Sequence, residues 1–232
     1  MKETERQQNL VTMHNPHSTI AEVYRVIRAN LDFMAVDQTI RSVVFTSTMP
    51  GEGKTVTAAN FAIVNAQAGK KVVLIDGDLR KPMIHRTFQL SNQLGLTNVL
   101  IKQATLEQAI QPTLVDNLAL LTSGPIPPNP AEVVGSQAMK DLIQMLLQTY
   151  DLVIIDSPPV MSVVDARLLG QEVDGVLFVV SAHQVSRSAM KKAKESLDLV
   201  GVRVLGTVLN KKKVTKRDQY YYYNYNSSYG QS

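Results

Sequence analysis

Residues 41–55 read RSVVFTSTMPGEGKT, an apolar run that leads into a loop with two glycines and ends on Lys54 and Thr55. The apolar part predicts a buried strand. Residues 54–69, KTVTAANFAIVNAQAG, predict a helix that stops at Gly69. A strand, a glycine-containing loop and a helix in that order form the context that a phosphate-binding loop requires.

Each polar or glycine position of this loop has a chemical use. Gly51 and Gly53 let the backbone approach phosphate oxygens, since no Cβ stands in the way. The loop amides and the following helix N-terminus favour an anion. Lys54 can reach the outer phosphates, and the Thr55 hydroxyl can ligate Mg²⁺. The predicted ATP-binding residues of the loop are Gly51, Glu52, Gly53, Lys54, Thr55 and Val56.

The loop departs from the general pattern G-x-x-x-x-G-K-[ST] at one position. Thr48 stands where that pattern has its first glycine. A chance glycine-rich turn is therefore the alternative to nucleotide binding, and other motifs must decide between the two.

Helical and strand-like segments alternate along the rest of the chain. The strands are short and mostly apolar, which indicates a parallel sheet that helices cover on both faces. We predict one α/β domain over residues 1–210 and a basic, tyrosine-rich tail over 211–232. The predicted strands lie at 41–48, 71–78, 117–124, 151–159, 174–182 and 202–210, and the predicted helices at about 18–35, 54–69, 131–150, 165–172 and 186–201.

Three aspartates follow predicted strands. Asp76 and Asp78 end the strand VVLIDGD, and Asp156 ends LVIID. The carboxyl ends of parallel strands share one edge of a sheet, so all three should lie near Lys54 and Thr55. Each aspartate alone is as readily a helix cap or a turn residue. Together, beside a phosphate loop, they indicate Mg²⁺ and phosphoryl chemistry.

Composition excludes several classes of function. The chain contains no cysteine, which rules out disulfides, thiolate metal sites and a thiol nucleophile. The net charge of +4 resides in the segment from Lys211 onward, so the predicted domain lacks the basic excess of a nucleic-acid-binding protein. No apolar stretch approaches the ~20 residues that span a bilayer. We expect no membrane anchor within this sequence.

The order of these motifs resembles the bacterial tyrosine kinases of capsule and exopolysaccharide synthesis. It is most similar to the form in which the catalytic protein is separate from its membrane partner, as in Gram-positive bacteria. The resemblance covers nearly the whole chain, and its motifs are TSTMPGEGKT, VVLIDGDLRKP, GPIPPNPAE, LVIIDSPP and the tyrosine-rich end.

That resemblance implies a phosphate-loop NTPase fold of the deviant Walker type, which partition and cell-division ATPases share. Those ATPases carry K-G-G-x-G-K-[ST], whereas Met49 and Pro50 replace the leading Lys-Gly here. The implied activity is transfer of phosphate from ATP to protein tyrosine, with Mg²⁺ as cofactor. The implied catalytic residues are Lys54, Asp76, Asp78 and Asp156, and the implied metal ligands are Thr55, Asp78 and Asp156.

Within this set, the resemblance makes Asp76 the residue that orients or deprotonates the acceptor tyrosine. It makes Asn210, at the end of the last strand, a reader of the adenine edge, although a strand-end turn residue is the simpler interpretation. Arg80 and Lys81 are either solvated loop charges or contacts to phosphate or a neighbouring subunit.

The N-terminal helix carries Glu22, Arg25 and Arg28 at intervals of three. From spacing alone we favour an intrahelical Glu–Arg pair, which contributes only a few tenths of a kcal/mol. The resemblance instead implies an E-x-x-R-x-x-R oligomerisation motif that assembles a ring.

The resemblance also assigns a role to the tail. Six tyrosines near the C-terminus are the implied autophosphorylation sites, presented in trans to a neighbouring subunit. Each phosphate adds about −1.5 to −2 charges, so successive phosphorylation should reverse the charge of the tail and loosen the ring. The six are Tyr220, Tyr221, Tyr222, Tyr223, Tyr225 and Tyr229.

The implied partners are a transmembrane chain-length (co-polymerase) protein, whose cytoplasmic end activates the kinase, and a cognate tyrosine phosphatase. The implied location is the cytoplasm, with recruitment to the inner face of the membrane. Two other functions stay open on the residues alone: a positioning ATPase of the partition type, and a protein that only binds nucleotide.

Overall fold

The computed structural model describes residues 9–34, 39–182 and 184–212. Within these ranges seven strands form one sheet in the order β3-β4-β2-β5-β1-β6-β7. The six predicted tail tyrosines lie outside the described residues. The strands are β1 Ser42–Ser47, β2 Val72–Asp76, β3 Ile110–Pro112, β4 Leu118–Leu121, β5 Leu152–Asp156, β6 Gly175–Ser181 and β7 Val204–Asn210.

Ten helices lie in the described ranges, and most of them connect one strand to the next. None of these helices is both long enough and apolar enough to cross a membrane. The helices are α1 Val11–His14, α2 Thr19–Met34, α3 Lys54–Gln67, α4 Ile84–Phe88, α5 Leu96–Leu100, α6 Leu106–Ala109, α7 Pro130–Val134, α8 Gln137–Thr149, α9 Asp165–Gln171 and α10 Arg187–Asp198.

The sheet is parallel except at one edge. β2, β5, β1, β6, β7 and β4 all run in the same direction, whereas β3 pairs antiparallel to β4 with Ile110 opposite Leu121. The sequence analysis predicted no strand at β3, which is three residues long and ends on Pro112. Proline cannot donate to a strand ladder, so an edge position is where it is tolerated.

Both faces of the sheet carry a hydrophobic core, as predicted. Val43 and Phe45 of β1 belong to the core that contains Phe61 of α3 and Leu31 of α2. Val44, between them in sequence, belongs to the opposite core with residues of α8, α9 and α10. Successive side chains of a strand point to opposite faces, so a strand buried on both sides reads as a continuous apolar run.

Two local features differ from the prediction. The single helix predicted over 131–150 is two helices, because Gly135 ends α7 and the Ser136 hydroxyl accepts a hydrogen bond from Met139 N to begin α8. The short helix α1 was not predicted. It is held by Thr12, whose N–H and hydroxyl both donate to Asn60 Oδ1 at 3.0 and 2.8 Å.

Candidate active site

The predicted phosphate loop joins the C-terminal end of β1 to the first residue of α3. Gly51 and Gly53 have φ values of +83° and +96°, in the region that favours glycine. A Cβ on Gly53 would lie 2.1 Å from Asn210 Nδ2, whereas a Cβ on Gly51 would meet nothing within 4 Å. Gly53 is therefore required by space as well as by conformation.

The Lys54 ammonium lies at the centre of a cluster of side-chain oxygens. Nζ is 3.0 Å from Asp78 Oδ2 and 3.2 Å from Asp156 Oδ1. It also donates to Thr55 Oγ1 at 3.3 Å, and the Thr55 hydroxyl donates to Asp156 Oδ2 at 2.6 Å. Four of the residues predicted from sequence thus meet at the carboxyl edge of β1, β2 and β5.

The charges within this cluster depend on one another. Burial opposes the charge on Lys54, but the carboxylates of Asp156 and Asp78 outweigh it and raise the pKa of the lysine. Burial raises the pKa of Asp156, against the opposing effects of Lys54 and Thr55. The lysine therefore stays cationic and is the counter-ion of two buried carboxylates.

Asp76 lies at the end of β2 and is fully buried. Its Oδ2 accepts hydrogen bonds from the backbone N–H groups of Met83 and Ile84, at 3.0 and 2.9 Å. Its Oδ1 has no hydrogen-bond partner among the described residues. Burial, followed by the negative charge of Asp156, raises the pKa of Asp76 to about 8. Burial and the neighbouring Asp156 thus favour the protonated form of this carboxyl group in the ligand-free protein.

The loop that follows Asp78 is held by hydrogen bonds to Asp78 itself and to Asp165, the first residue of α9. Asp78 Oδ1 accepts a hydrogen bond from Lys81 N at 3.0 Å. The Arg80 guanidinium donates to both carboxylate oxygens of Asp165 at 2.9 and 3.1 Å. Sequence analysis did not single out Asp165, because an acidic residue in the first turn of a helix is ordinarily a response to the helix dipole. Its complete burial is what marks it here.

Glu52 is a fully buried acidic residue in the phosphate loop. Its carboxylate accepts hydrogen bonds from Met49 N at 2.6 Å and from Ser181 N at 2.8 Å. The predicted ATP-binding set includes Glu52, and the structure places its side chain beneath the loop, between the loop and the end of β6. The Glu52 side chain thus fixes the shape of the loop.

Asn210 and Lys211 also contact the phosphate loop, from the end of β7. Asn210 Nδ2 donates to Glu52 O at 2.8 Å, and Lys211 Nζ donates to Gly51 O at 2.6 Å. Sequence analysis placed Asn210 at the site but assigned Lys211 to the tail, with the other basic residues. The sequence contained one indication that Lys211 lies at the site, because this residue directly follows a strand that ends at the ligand-binding edge of the sheet.

A cleft of about 450 Å³ opens beside these residues. Lys54, Thr55 and Asp78 lie on its wall, while Asp76 and Asp156 do not. Most of the remaining lining residues come from the phosphate loop, the loop after β2 and the loop after β5, and the others precede α1 or lie in α3 and α4. They are Asn9, Pro50, Gly51, Gly53, Val56, Arg80, Lys81, Met83, Thr87, Pro158, Pro159, Ser162 and Val163.

The predicted oligomerisation residues lie on α2, away from the cleft. Arg25 Nη1 is 2.8 Å from Glu22 Oε2, the intrahelical pair favoured from spacing, and its Nη2 donates to Pro16 O at 2.6 Å. Arg28 donates to Val64 O of α3 at 2.9 Å. Within one subunit, therefore, both arginines already have hydrogen-bond partners.

Known proteins of two kinds, a domain family and tyrosine-protein kinases, are similar to this chain. The family model described as an AAA domain matches residues 40–205. The tyrosine-protein kinase YwqD of Bacillus subtilis (strain 168) is 48% identical over 217 residues, which cover 94% of this chain and 92% of that protein. The tyrosine-protein kinase CpsD of Streptococcus agalactiae serotype III (strain NEM316) is 36% identical over 191 residues, with 82% of each chain covered.

Solved structures are similar to this chain as well. The crystal structure of the chimerical protein CapA2B2 is 42% identical, with a TM-score of 0.86 over 88% of this chain and 90% of that one. The septum site-determining protein MinD from Pyrococcus horikoshii OT3, complexed with Mg-ADP, is 25% identical, with a TM-score of 0.65 over 77% of this chain and 73% of that one. The fold is thus that of the phosphate-loop NTPases, and, because the kinases match most of the chain at much higher identity, the chain belongs to the bacterial tyrosine-protein kinase family.

Proposed function

We propose that this kinase uses Mg-ATP to phosphorylate the C-terminal tyrosines of a second copy of the same chain, and that this modification regulates synthesis and export of capsular or extracellular polysaccharide. The observation that carries the proposal is the cluster that Lys54, Thr55, Asp78 and Asp156 form beside a cleft, directly after a loop that suits phosphate, with the first three of these residues on the cleft wall. These are the groups that neutralise and orient a transferring phosphoryl group.

The donor set fits a magnesium ion. Mg²⁺ prefers oxygen ligands and takes most of them from phosphates and water. Thr55, Asp78 and Asp156 supply one hydroxyl and two carboxylates within a single cluster. The described residues hold no group of three or more His, Cys, Asp and Glu that could bind a metal unaided, which accords with an ion that arrives with its nucleotide. When bound, the ion supplies neutralisation of phosphate charge.

Lys54 has two sets of partners in this scheme. In the ligand-free protein its ammonium neutralises Asp78 and Asp156. Nucleotide binding brings phosphate oxygens to the loop and draws the ammonium toward them. Asp78 and Asp156 would then need another cation beside them, and a Mg²⁺ ion held by Thr55, Asp78 and Asp156 would supply that charge.

The transfer itself is a displacement at phosphorus. The bond from the γ-phosphorus to its bridging oxygen breaks, a bond to the tyrosyl oxygen forms, and the tyrosyl proton is lost. A free tyrosine has a pKa of about 10, so a nearby carboxylate assists. Asp78 lies on the cleft wall and can align the hydroxyl. Asp76 is the proton acceptor in this proposal, and it can act only after losing its own proton.

Asn210 is proposed to contact adenine, since its amide can both donate to and accept from the ring. Its Nδ2 and Oδ1 already bond to Glu52 O and Lys211 N, each at 2.8 Å. The second amide hydrogen and the second lone pair of the oxygen are the groups this role would use.

Subunits are proposed to assemble into a ring through α2. Ile20, Val23 and Val26 are exposed on this helix, which also carries Phe33 with 75% of its surface exposed. An apolar helix face of this kind is characteristic of an interaction surface. The Glu22–Arg25 pair borders the face and supplies charge to the contact. In the ring, the tail of one subunit would enter the cleft of the next.

The partners proposed are a transmembrane chain-length protein that activates the kinase and recruits it from the cytoplasm to the inner membrane face, and a tyrosine phosphatase that reverses the reaction. No nucleic acid is proposed as a partner. Reversal is required if the tail is to act as a graded electrostatic switch, because phosphotyrosine is stable on its own.

The test combines purified full-length protein, the cytoplasmic segment of the activator and Mg-ATP. Phosphotyrosine is mapped by mass spectrometry while phosphate release is measured in parallel. Label on Tyr220–Tyr229 is expected, and its transfer in trans is shown by mixing a Lys54→Met chain with a chain whose six tail tyrosines are phenylalanine. In that mixture only the Lys54→Met chain should be labelled.

Two outcomes would contradict the proposal. Robust phosphate release without label on the tail would indicate a positioning ATPase of the MinD type. Label on the tail of the wild-type protein, with none on the Lys54→Met chain in the mixture at any concentration, would exclude transfer in trans.

A further inference from the structure

The root of the C-terminal tail is bonded to the phosphate loop. Asn210, the last residue of β7, donates from Nδ2 to Glu52 O at 2.8 Å. Lys211, the next residue, donates from Nζ to Gly51 O at 2.6 Å and to Gln184 Oε1 at 3.4 Å. Two successive carbonyl groups of the loop are thus held by two successive residues of the tail root.

The backbone of the tail root is shaped for this contact. Lys211 has φ +57°, in the left-handed region that lysine rarely adopts. Its own N–H donates back to Asn210 Oδ1 at 2.8 Å, and Asn210 O accepts from Ala182 N of the neighbouring segment at 2.9 Å. The Asn210 side chain is therefore fixed at both of its polar atoms.

Holding a carbonyl also orients an amide. In a planar trans peptide the C=O and the N–H of one unit point in opposite directions. The described chain contains no cis peptide. The bond from Lys211 to Gly51 O therefore sets the direction of Glu52 N–H, and the bond from Asn210 to Glu52 O sets that of Gly53 N–H. Both amides are turned away from the tail root.

The Glu52 side chain is a second restraint on the same segment of the loop. The buried Glu52 carboxylate accepts from Met49 N and Ser181 N. Gly53 in turn leaves the space that Asn210 occupies, since a Cβ there would lie 2.1 Å from Nδ2. The Ser181 backbone of β6, the Asn210 and Lys211 side chains and the Glu52 carboxylate thus all restrain residues 51–53.

We infer that Asn210 and Lys211 are positioning residues, which hold the Glu52 and Gly53 amides in their phosphate-binding orientation. The inference rests on the proposed nucleotide site and deepens it, because it assigns Asn210 a role that does not depend on adenine. Lys211 has no assigned role otherwise. Both residues act through the backbone of the loop.

The experiment compares two ligands by isothermal titration calorimetry on the full chain: Mg-ATP, and magnesium tripolyphosphate, which has no base. Asn210→Ala and Lys211→Met should each weaken both ligands by the same factor, about tenfold if one well-made hydrogen bond is lost. Lys191→Met, which removes an exposed lysine from α10, is the matched charge control and should leave both affinities unchanged.

Three further arms separate this role from simpler ones. Lys211→Arg retains a donor and should restore most of the affinity. The Lys211→Met effect should persist in 1 M salt, where the Debye length is about 3 Å and a merely electrostatic contribution is screened. Asn210→Ala changes no charge, so its effect on tripolyphosphate cannot be electrostatic. Melting temperatures without ligand show that each variant is folded.

The outcomes are distinct. Loss of ATP binding with unchanged tripolyphosphate binding would show that Asn210 reads adenine and would overturn its positioning role. Wild-type affinities in both variants would overturn the inference for both residues. Failure of the wild-type protein to bind either ligand would instead contradict the proposed nucleotide site.

Discussion

At the residue scale, Gly53 shows how strongly the conformation and packing of the phosphate loop depend on the absence of a Cβ atom. Its backbone conformation and the Asn210 amide beside it both exclude a side chain. Gly51 shares the conformation but not the crowding. The two glycines therefore separate the conformational cost of a substitution from its steric cost.

We expect Gly53→Ala to reduce affinity for Mg-ATP more than tenfold, and Gly51→Ala to reduce it severalfold. A left-handed conformation costs a non-glycine residue about 1–2 kcal/mol at either position, and only at Gly53 must Asn210 also move. Calorimetric titration of both variants is the measurement. Equal losses would mean that the Asn210 contact is unimportant for binding.

A second residue-scale prediction concerns Asp76 and pH. Its pKa is raised from 3.8 to about 8 in the folded protein, so between these values the folded state binds a proton that the unfolded state does not. The free energy of unfolding contributed by this group should therefore fall as pH rises across that window. It is fully present below about pH 4.

The Asp76→Asn variant should lack this slope. Its amide oxygen can still accept the N–H groups of Met83 and Ile84, which makes it a close structural match. Urea unfolding at several pH values between 5 and 8 measures both proteins. If the free energies of unfolding of the two proteins change in parallel with pH, Asp76 is ionised across this range. Separately, the variant should lose kinase activity if Asp76 accepts the tyrosyl proton.

The residues that could be predicted from sequence are those whose place follows from sheet geometry. Lys54, Thr55, Asp78 and Asp156 meet because each ends or follows a parallel strand, and such ends share an edge. Asp165 begins a helix and ends no strand, and Lys211 does follow a parallel strand, but the contacts that either residue makes could not be predicted. Their roles depend on which long side chain reaches which loop, and that depends on strand order, which the sequence pattern does not reveal.

At the scale of elements, α2 combines two kinds of surface. Ala21 and Leu31 are buried against the domain, and Ser18 caps the helix by accepting from Ala21 N at 3.1 Å. The opposite face exposes Val26 and Phe33. The helix bounds were predicted closely because the cap and the apolar spacing are local signals. The break at Gly135 was missed, since glycine near a helix interior is common enough to be tolerated.

The two surfaces of α2 should respond differently to mutation. Val26→Glu places a charge on the exposed apolar face and is expected to dissociate the oligomer while changing the free energy of unfolding by less than about 0.5 kcal/mol. Arg28→Ala removes the bond to Val64 O and should lower the stability of the subunit. Sedimentation equilibrium and urea unfolding report the two effects. An unchanged oligomer in Val26→Glu would exclude this face as the ring contact.

At the scale of the whole molecule, the Lys54 cluster links the start of α3 to the ends of two strands through charge. A lysine from α3 neutralises carboxylates at the ends of β2 and β5. The alternating strands and helices made the layered fold predictable. The pairing of these charges in the absence of ligand was not predicted, because the sequence motif describes the nucleotide-bound role of the lysine.

Lys54→Met should therefore destabilise the ligand-free protein as well as abolish activity. Removing one partner of a buried ion pair costs about 3–5 kcal/mol, and here Asp156 has no exposed surface. The loss should be smaller in acid, where the carboxylates are protonated. Lys70→Met breaks an exposed pair with Asp32 and serves as the control. Equal melting temperatures for Lys54→Met and wild type would contradict the predicted destabilisation.

The contact between Lys211 and Gly51 O has a mechanical consequence for the ring proposed above. The chain leaves the sheet at this residue, so a pull on the tail would act on its left-handed backbone and on the bonds from its ammonium to Gly51 O and Gln184 Oε1. A neighbour that captures the tail would strain that anchor and release one restraint on the donor's own phosphate loop. A subunit that presents its tyrosines would then bind nucleotide less tightly. Presentation of tyrosine and binding of nucleotide would therefore alternate between neighbouring subunits of the ring.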